Sequence, residues 1–184
     1  MRNLQTQKRA FLIQIQSFTF NPFQENTFLL WDDTNDCIIV DAGCFGNSEN
    51  QELKEFIESR KLNPVQLVNT HAHVDHILGN EFIKDEYGLN TWLHKDELPI
   101  LHSVKEHAML FGMQIESPPE PQGFLEESAS IRFGNSVLRI LLVPGHSPGH
   151  IAFVSDEQEF VIGGDVLFRG SIGRTDLPGG NFEQ

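Results

Sequence analysis

The sequence predicts a mixed α/β (α+β) domain. Strand-like and helix-like segments alternate through the first half, Gly-, Pro- and Asn-containing turns separate them, and the second half returns to short strands. From Phe11 the apolar residues fall at 11, 13 and 15 and then at 18 and 20, so the period of two flips phase near Ser17, which predicts a bulge or bend. Asn21-Pro22 reads as a turn, 27–31 as a returning strand, and 37–40 as a third strand ending at Asp41-Ala42-Gly43, which together make a meander. Ser48 with Gln51 three residues on matches a capping box ahead of a helix striped by Leu53, Phe56 and Ile57 and ending near Arg60. A short apolar strand over 65–69 runs directly into Thr70-His71-Ala72-His73-Val74-Asp75-His76, and 77–87 reads as helix up to Gly88.

Residues 91–94 fit a short strand and 97–111 a helix with Leu98, Leu101, Val104 and Ala108 on one side and Pro99 in its first turn. The stretch 113–124 holds Pro118, Pro119 and Pro121 and reads as a surface loop. Strands are expected over 128–133, 137–143, 151–155 and 160–162, split by Gly134-Asn135, Pro144-Gly145 and Asp156-Glu157. The glycine-rich stretch 163–180 reads as an irregular loop. No composition shift marks a boundary, so 1–184 is expected to form a single domain, in keeping with about 150 residues per domain.

Composition narrows the function classes. With 13 basic against 26 acidic residues the formal charge is −13, which leaves no broad basic footprint for nucleic acid or anionic lipid. The longest apolar run is far short of the ~20 residues that cross a bilayer. Residues 1–10 carry charge, and 11–20 are interrupted by Gln14, Gln16, Ser17 and Thr19, so no signal peptide is read and a cytoplasmic protein is expected. Cys37 and Cys44 form no CxxC pair and imply no disulfide framework.

Eight histidines stand out, three of them within six residues. Imidazoles and a carboxylate crowded into one turn after a strand repel or desolvate one another unless a cation neutralises them, and this donor set suits zinc or another first-row metal. Four candidates, His71, His73, Asp75 and His76, are too many for one tetrahedral ion that also takes distant ligands, so two ions are the simpler reading. Further ligands are expected where later strands end at glycine turns: His146 after Pro144-Gly145 and Asp165 after Gly163-Gly164. His150 opens the next strand, where it satisfies a backbone group or orients a ligand; His94, His102 and His107 are read as structural or surface residues.

The segments His71-Ala72-His73-Val74-Asp75-His76, Pro144-Gly145-His146-Ser147-Pro148-Gly149-His150 and Gly164-Asp165-Val166-Leu167-Phe168 closely resemble the metallo-β-lactamase-fold superfamily, and within it glyoxalase II-related hydrolases. The resemblance implies a four-layer αββα sandwich with the site along one edge. His71, His73 and His146 would hold a first metal, Asp75 and His76 a second, Asp165 would bridge them, and Asp41 would support the site. It also implies zinc, one or two ions, with iron or manganese as alternatives. Arg174, in Arg169-Gly170-Ser171-Ile172-Gly173-Arg174, matches the place where such enzymes bind the glutathione part, which makes it a candidate carboxylate anchor.

Members of this family usually add a helix and a strand after the position of Asn181, ending in a histidine-bearing turn that completes the second metal site; this sequence stops at Gln184. The expected fold therefore lacks the last helix and strand. The activity implied is hydrolysis of a small-molecule thioester by hydroxide formed on the metals, with Asp75 orienting that hydroxide; no nucleic-acid or membrane partner is expected, and the oligomeric state is left open. One alternative is a persulfide dioxygenase of the same fold with a single iron on His71, His146 and Asp165, resembled around Gly173-Arg174-Thr175-Asp176. Another is a metal-binding form whose catalysis is impaired by the missing histidine.

Overall fold

The computed structural model describes residues 12–184. The charged start of the chain and Phe11 lie outside the described residues. Strands β1 (Gln14–Phe20), β2 (Glu25–Trp31) and β3 (Asp36–Val40) form the expected antiparallel meander. β1 and β2 pair without interruption from Gln14↔Trp31 to Phe20↔Glu25, so the expected bulge at Ser17 is absent. The phase flip has another cause. Ile13, just ahead of β1, points into the core between the two sheets, Ile15 lies exposed, and the strand's own buried residues, Phe18 and Phe20, point to the opposite face against helix.

Helix α1 (Gly46–Arg60) follows β3 and leads to β4 (Asn63–Val68), which lies parallel to β3. The expected Ser48–Gln51 capping box does not form. The N-cap is Phe45, and the carboxylate of Glu49 accepts the backbone N–H groups of Phe45 (2.7 Å) and Asn21 (3.0 Å). Helix was expected over 77–87; the helical run instead starts earlier, with α2 (Val74–Ile77) inside the histidine motif, and is interrupted before α3 (Asn80–Tyr87). Gly79 breaks it because its N–H donates to the carbonyl of Ala42 (2.7 Å), and a Cβ there would sit 2.9 Å from that oxygen.

β5 (Thr91–Leu93), helix α4 (Leu98–Leu110) and the two-residue β6 (Gly123–Phe124) complete a six-stranded sheet in the order β1-β2-β3-β4-β5-β6. β7 (Ser130–Phe133), β8 (Ser136–Leu142), β9 (Ile151–Ser155) and β10 (Phe160–Ile162) form an antiparallel sheet ordered β10-β9-β8-β7. A small hairpin, β11 (Leu167–Phe168) with β12 (Ser171–Ile172), lies within the stretch expected to be irregular.

The two sheets pack face to face. Leu30, Ile38, Val40 and Val68 of the first meet Leu138, Ile140, Ile151 and Phe153 of the second. On the outer face of the first sheet, Leu29, Trp31, Ile39 and Leu67 pack on Leu53 and Ile57 of α1 and Ile83 of α3. Strands buried on both faces explain the continuous apolar runs at 28–31 and 37–40. Helices α2 and α4 share a third cluster with Leu93. The outer face of the second sheet leaves Val137 and Val161 exposed, and among the described residues no helix joins its core cluster. Among the described residues the layers are therefore helix, sheet, sheet. No described helix is long and apolar enough to cross a membrane.

Candidate metal centre

β4, β8 and β10 end at the same edge of the sandwich, and the loops leaving them carry the expected donors. The Nδ1 of His73 lies 2.8 Å from Nε2 of His146, which lies 3.2 Å from Nε2 of His71. Three buried or half-buried imidazoles aim nitrogens at one point. Donors about 2.0–2.1 Å from a tetrahedral zinc stand about 3.3 Å apart, so His71 and His146 have the spacing that a cation imposes, while His73 and His146 stand at hydrogen-bond distance and would part by about 0.5 Å to admit one.

A second cluster joins His71, His76 and Asp165. The Nε2 of His76 lies 3.4 Å from one oxygen of Asp165 and 3.7 Å from Asp75, while the other oxygen of Asp165 lies 3.6 Å from Nε2 of His146. Asp165 thus faces both lobes, and all six sequence-read donors come together. Its placement depends on Gly164, which has φ 50° and where a Cβ would meet Thr70 Oγ1 at 2.5 Å and His150 Cε1 at 2.9 Å.

His71, His76 and His146 each have an outer partner that fixes the ring. Asp41 accepts from Nδ1 of His76 (3.0 Å) and from Thr70 N and Oγ1 (2.7 Å each), and Thr70 Oγ1 lies 3.0 Å from Nδ1 of His71. Asp41 itself adopts φ 54°, a left-handed conformation costing about 1–3 kcal/mol in a non-glycine residue, which these bonds hold in place. Nδ1 of His146 donates to the carbonyl of Arg174 (2.7 Å). His150 orients rather than ligates, as expected: its ring stacks on His71 at 4.6 Å and its Nε2 accepts from the N–H of Asp165 (3.2 Å).

Two groups that sequence reasoning missed complete the frame. Glu97, fully buried, accepts from the N–H of Ala72 (2.8 Å) with one oxygen and from Ser147 Oγ and the N–H of Gly149 (2.7 Å each) with the other. It ties the His71–His73 loop to the His146 loop. Within Lys95-Asp96-Glu97 it reads as one charge of a solvated run, and no local pattern reveals it. Asn21 donates to the carbonyls of Asp75 and Gly43 (2.9 Å each), anchoring the β1–β2 turn to the second lobe. Behind His76, burial pushes the carboxyl of Glu25 up to about 9.

Arg174, the expected carboxylate anchor, lines the cavity over the centre. Its Nε and Nη2 fork onto the two oxygens of Asp176 at 2.7 Å each, so the guanidinium is already paired with a carboxylate two residues on. What it gives the centre is its main-chain carbonyl. His94 is structural, accepting from the N–H of Asp96, and His102 lies exposed beside Glu120, both as expected, but His107 reaches the cavity over the centre.

The electrostatics divide the two lobes. Burial and neighbouring imidazoles hold His71 well below the usual histidine range, and the same causes bring His73 down to about 3. Burial alone would lower His76 too, but Asp41, Asp165 and Asp75 outweigh it and raise it well above that range. Without metal, His71 and His73 therefore offer neutral nitrogens while His76 carries a proton on each side. Metal binding at those two nitrogens is expected to release almost no protons at pH 7 and binding at His76 about one, so second-site affinity should fall about tenfold per pH unit of acidification. Calorimetric metal titration in two buffers of different ionisation heat checks this; equal release at both steps would contradict it.

Comparison with known proteins supports the same assignment. The metallo-beta-lactamase superfamily model matches residues 20–184. The hydroxyacylglutathione hydrolase GloC of Haemophilus influenzae is 35% identical over 174 residues, spanning 93% of this chain and 80% of that protein. The probable metallo-hydrolase YqgX of Bacillus subtilis is 37% identical over 164 residues, spanning 88% of this chain and 75% of that protein. The crystal structure of TTHA1623 in a di-iron-bound form superposes with a TM-score of 0.81 at 35% identity, covering 91% of this chain and 80% of that one. With this match over most of its length and a His- and Asp-lined centre at the sheet edge, the chain belongs to the metallo-beta-lactamase superfamily and is a metallo-hydrolase of that family.

Proposed function

We propose that the protein is a glyoxalase II-like thioester hydrolase whose centre holds two divalent cations. The observation that carries this reading is the placement of Asp165 between the lobes, with one oxygen toward His76 and the other toward His146. The similarity to a hydroxyacylglutathione hydrolase and to a protein crystallised with two irons supports it. His71, His73 and His146 would hold one ion, Asp75 and His76 the other, and Asp165 both. Zinc, iron and manganese all suit this nitrogen and carboxylate set.

When bound, the ions supply a water deprotonated near neutral pH and a Lewis acid for the carbonyl oxygen. The chain's own groups do the rest. Asp75 is buried enough that its carboxyl is raised, and it stands beside His76 where it can accept a hydrogen bond from the attacking water and fix its direction. Asp41, Thr70 and the Arg174 carbonyl keep the imidazoles from turning, so little reorganisation is needed during the reaction. A thiol leaving group, with pKa about 8.5, departs as thiolate without needing a strong general acid.

Metal-loaded protein should release free thiol from S-lactoylglutathione or from a simple acyl thioester, followed with a thiol-reactive dye, and consume no oxygen. Oxygen uptake with glutathione persulfide and no thiol release from any thioester would replace this reading by the single-iron dioxygenase.

A further inference from the structure

A cavity of about 270 Å³ opens directly above the donors His73, Asp75, His146 and Asp165, and its walls are mostly apolar: Phe23, Val74, Leu110, Phe111, Leu177 and Pro178. These side chains come from four distant parts of the chain, Val74 from α2. Phe23 sits in the β1–β2 turn, Leu110 and Phe111 end α4, and Leu177 and Pro178 follow Arg174. Several are costly to leave in water: Phe23 is 37%, Phe111 53% and Leu110 81% exposed.

The aromatic wall is built and not incidental. Phe23 and Phe111 meet edge to face with ring centroids 5.2 Å apart. The N–H of Phe23 donates to the side chain of Asn21 (3.0 Å), and the same Asn21 donates to the carbonyl of Asp75. The wall is thus held at a set position relative to a metal donor. The cavity is as notable for its charge. Arg174 is its only Lys or Arg among the described residues, and that guanidinium is forked onto Asp176.

Accepting thioester hydrolysis as the reaction, we propose that this cavity receives the acyl chain of the substrate and that the chain is apolar, uncharged and short. The thiol half of a biological thioester carries amides and carboxylates or phosphates, which this lining would desolvate without a free cation in return. An aliphatic or aryl acyl chain covers the exposed rings instead. The volume, just under the ~300–1,000 Å³ of sites for drug-sized ligands, limits that chain to about ten carbons, since about 150 Å³ holds a benzene ring.

Acetyl, butanoyl and hexanoyl thioesters of N-acetylcysteamine, an uncharged thiol, test the assignment on the metal-loaded protein. A buried methylene contributes about 0.8 kcal/mol, or about fourfold, so kcat/KM should rise at least about tenfold from acetyl to hexanoyl. In Phe111→Ala and Phe23→Ala that ratio should fall to about threefold or less. An acetyl thioester carrying a hexyl group on sulfur should gain little; a gain there in place of the acyl series would overturn the acyl assignment. A flat acyl series with thioesters still turned over would overturn the subsite and leave the hydrolase reading intact. The chain-matched ketones, with methylene replacing sulfur, keep the two readings separate by direct binding. If no thioester is turned over yet ketone affinity still climbs with acyl length and drops in Phe111→Ala, the hydrolase reading fails and the subsite stands; affinity independent of length would end the subsite.

Discussion

Replacing Asp165 with asparagine is expected to lower thioester turnover by about a thousandfold or more and to reduce bound metal from two ions per chain toward one. The size of the effect follows from position. Outer groups that only orient metal ligands already cost about 10–100-fold when changed, and Asp165 faces both lobes itself. Burial alone would raise its carboxyl, yet His76 and His146 outweigh that and hold it below the usual range, so it is an anion that both lobes require. Asparagine keeps the volume and one oxygen but removes the charge that offsets two cations. Steady-state kinetics with elemental analysis of the same preparation measures both. Wild-type turnover with two ions retained would remove Asp165 from the centre.

The second large effect is expected from Glu97. Glu97→Ala strips acceptors from Ala72 N–H, Ser147 Oγ and Gly149 N–H, all in the interior. Unpaired buried donors cost about 1–3 kcal/mol each, partly relieved if water enters, so a loss of about 2–4 kcal/mol and a Tm drop of about 10 °C are expected. Metal affinity should fall about 10–100-fold because the loops bearing His71, His73 and His146 are no longer tied together. Glu97→Gln is the informative companion. Its oxygen can still serve Ser147 and Gly149, but its amide would then face the N–H of Ala72, donor against donor. Metal affinity between that of wild type and Glu97→Ala, with activity restored by excess metal, is the result expected of a positioning residue. Unchanged metal affinity in both variants, with only Tm lowered, would reduce Glu97 to a packing role.

The sequence carried most of the centre because its donors are chemically conspicuous where they stand. His71, His73, Asp75 and His76 crowd one turn, and His146 and Asp165 follow glycine turns at strand ends, so crowding and punctuation are both local signals. Glu97 and Asn21 gave none, since each acts on backbone groups far along the chain. The part of Arg174 that touches the centre, its main-chain carbonyl, was illegible because every residue possesses one. In the fold, the antiparallel meander and the later strands were legible from alternation. The phase flip suggests a bulge or bend because period-two reasoning assumes one buried face, whereas Ile13, just ahead of β1, packs between the sheets and Phe18 and Phe20 pack against helix. The break between α2 and α3 came from Gly79 bonding to Ala42, a tertiary contact no helical pattern encodes.

The most direct measurement is a metal titration of chelator-stripped protein followed by thioester turnover. Turnover should be absent without metal, rise as ions are added and level off at two equivalents per chain. Turnover in the stripped protein, or a plateau at one equivalent, would contradict a centre in which Asp165 joins two ions.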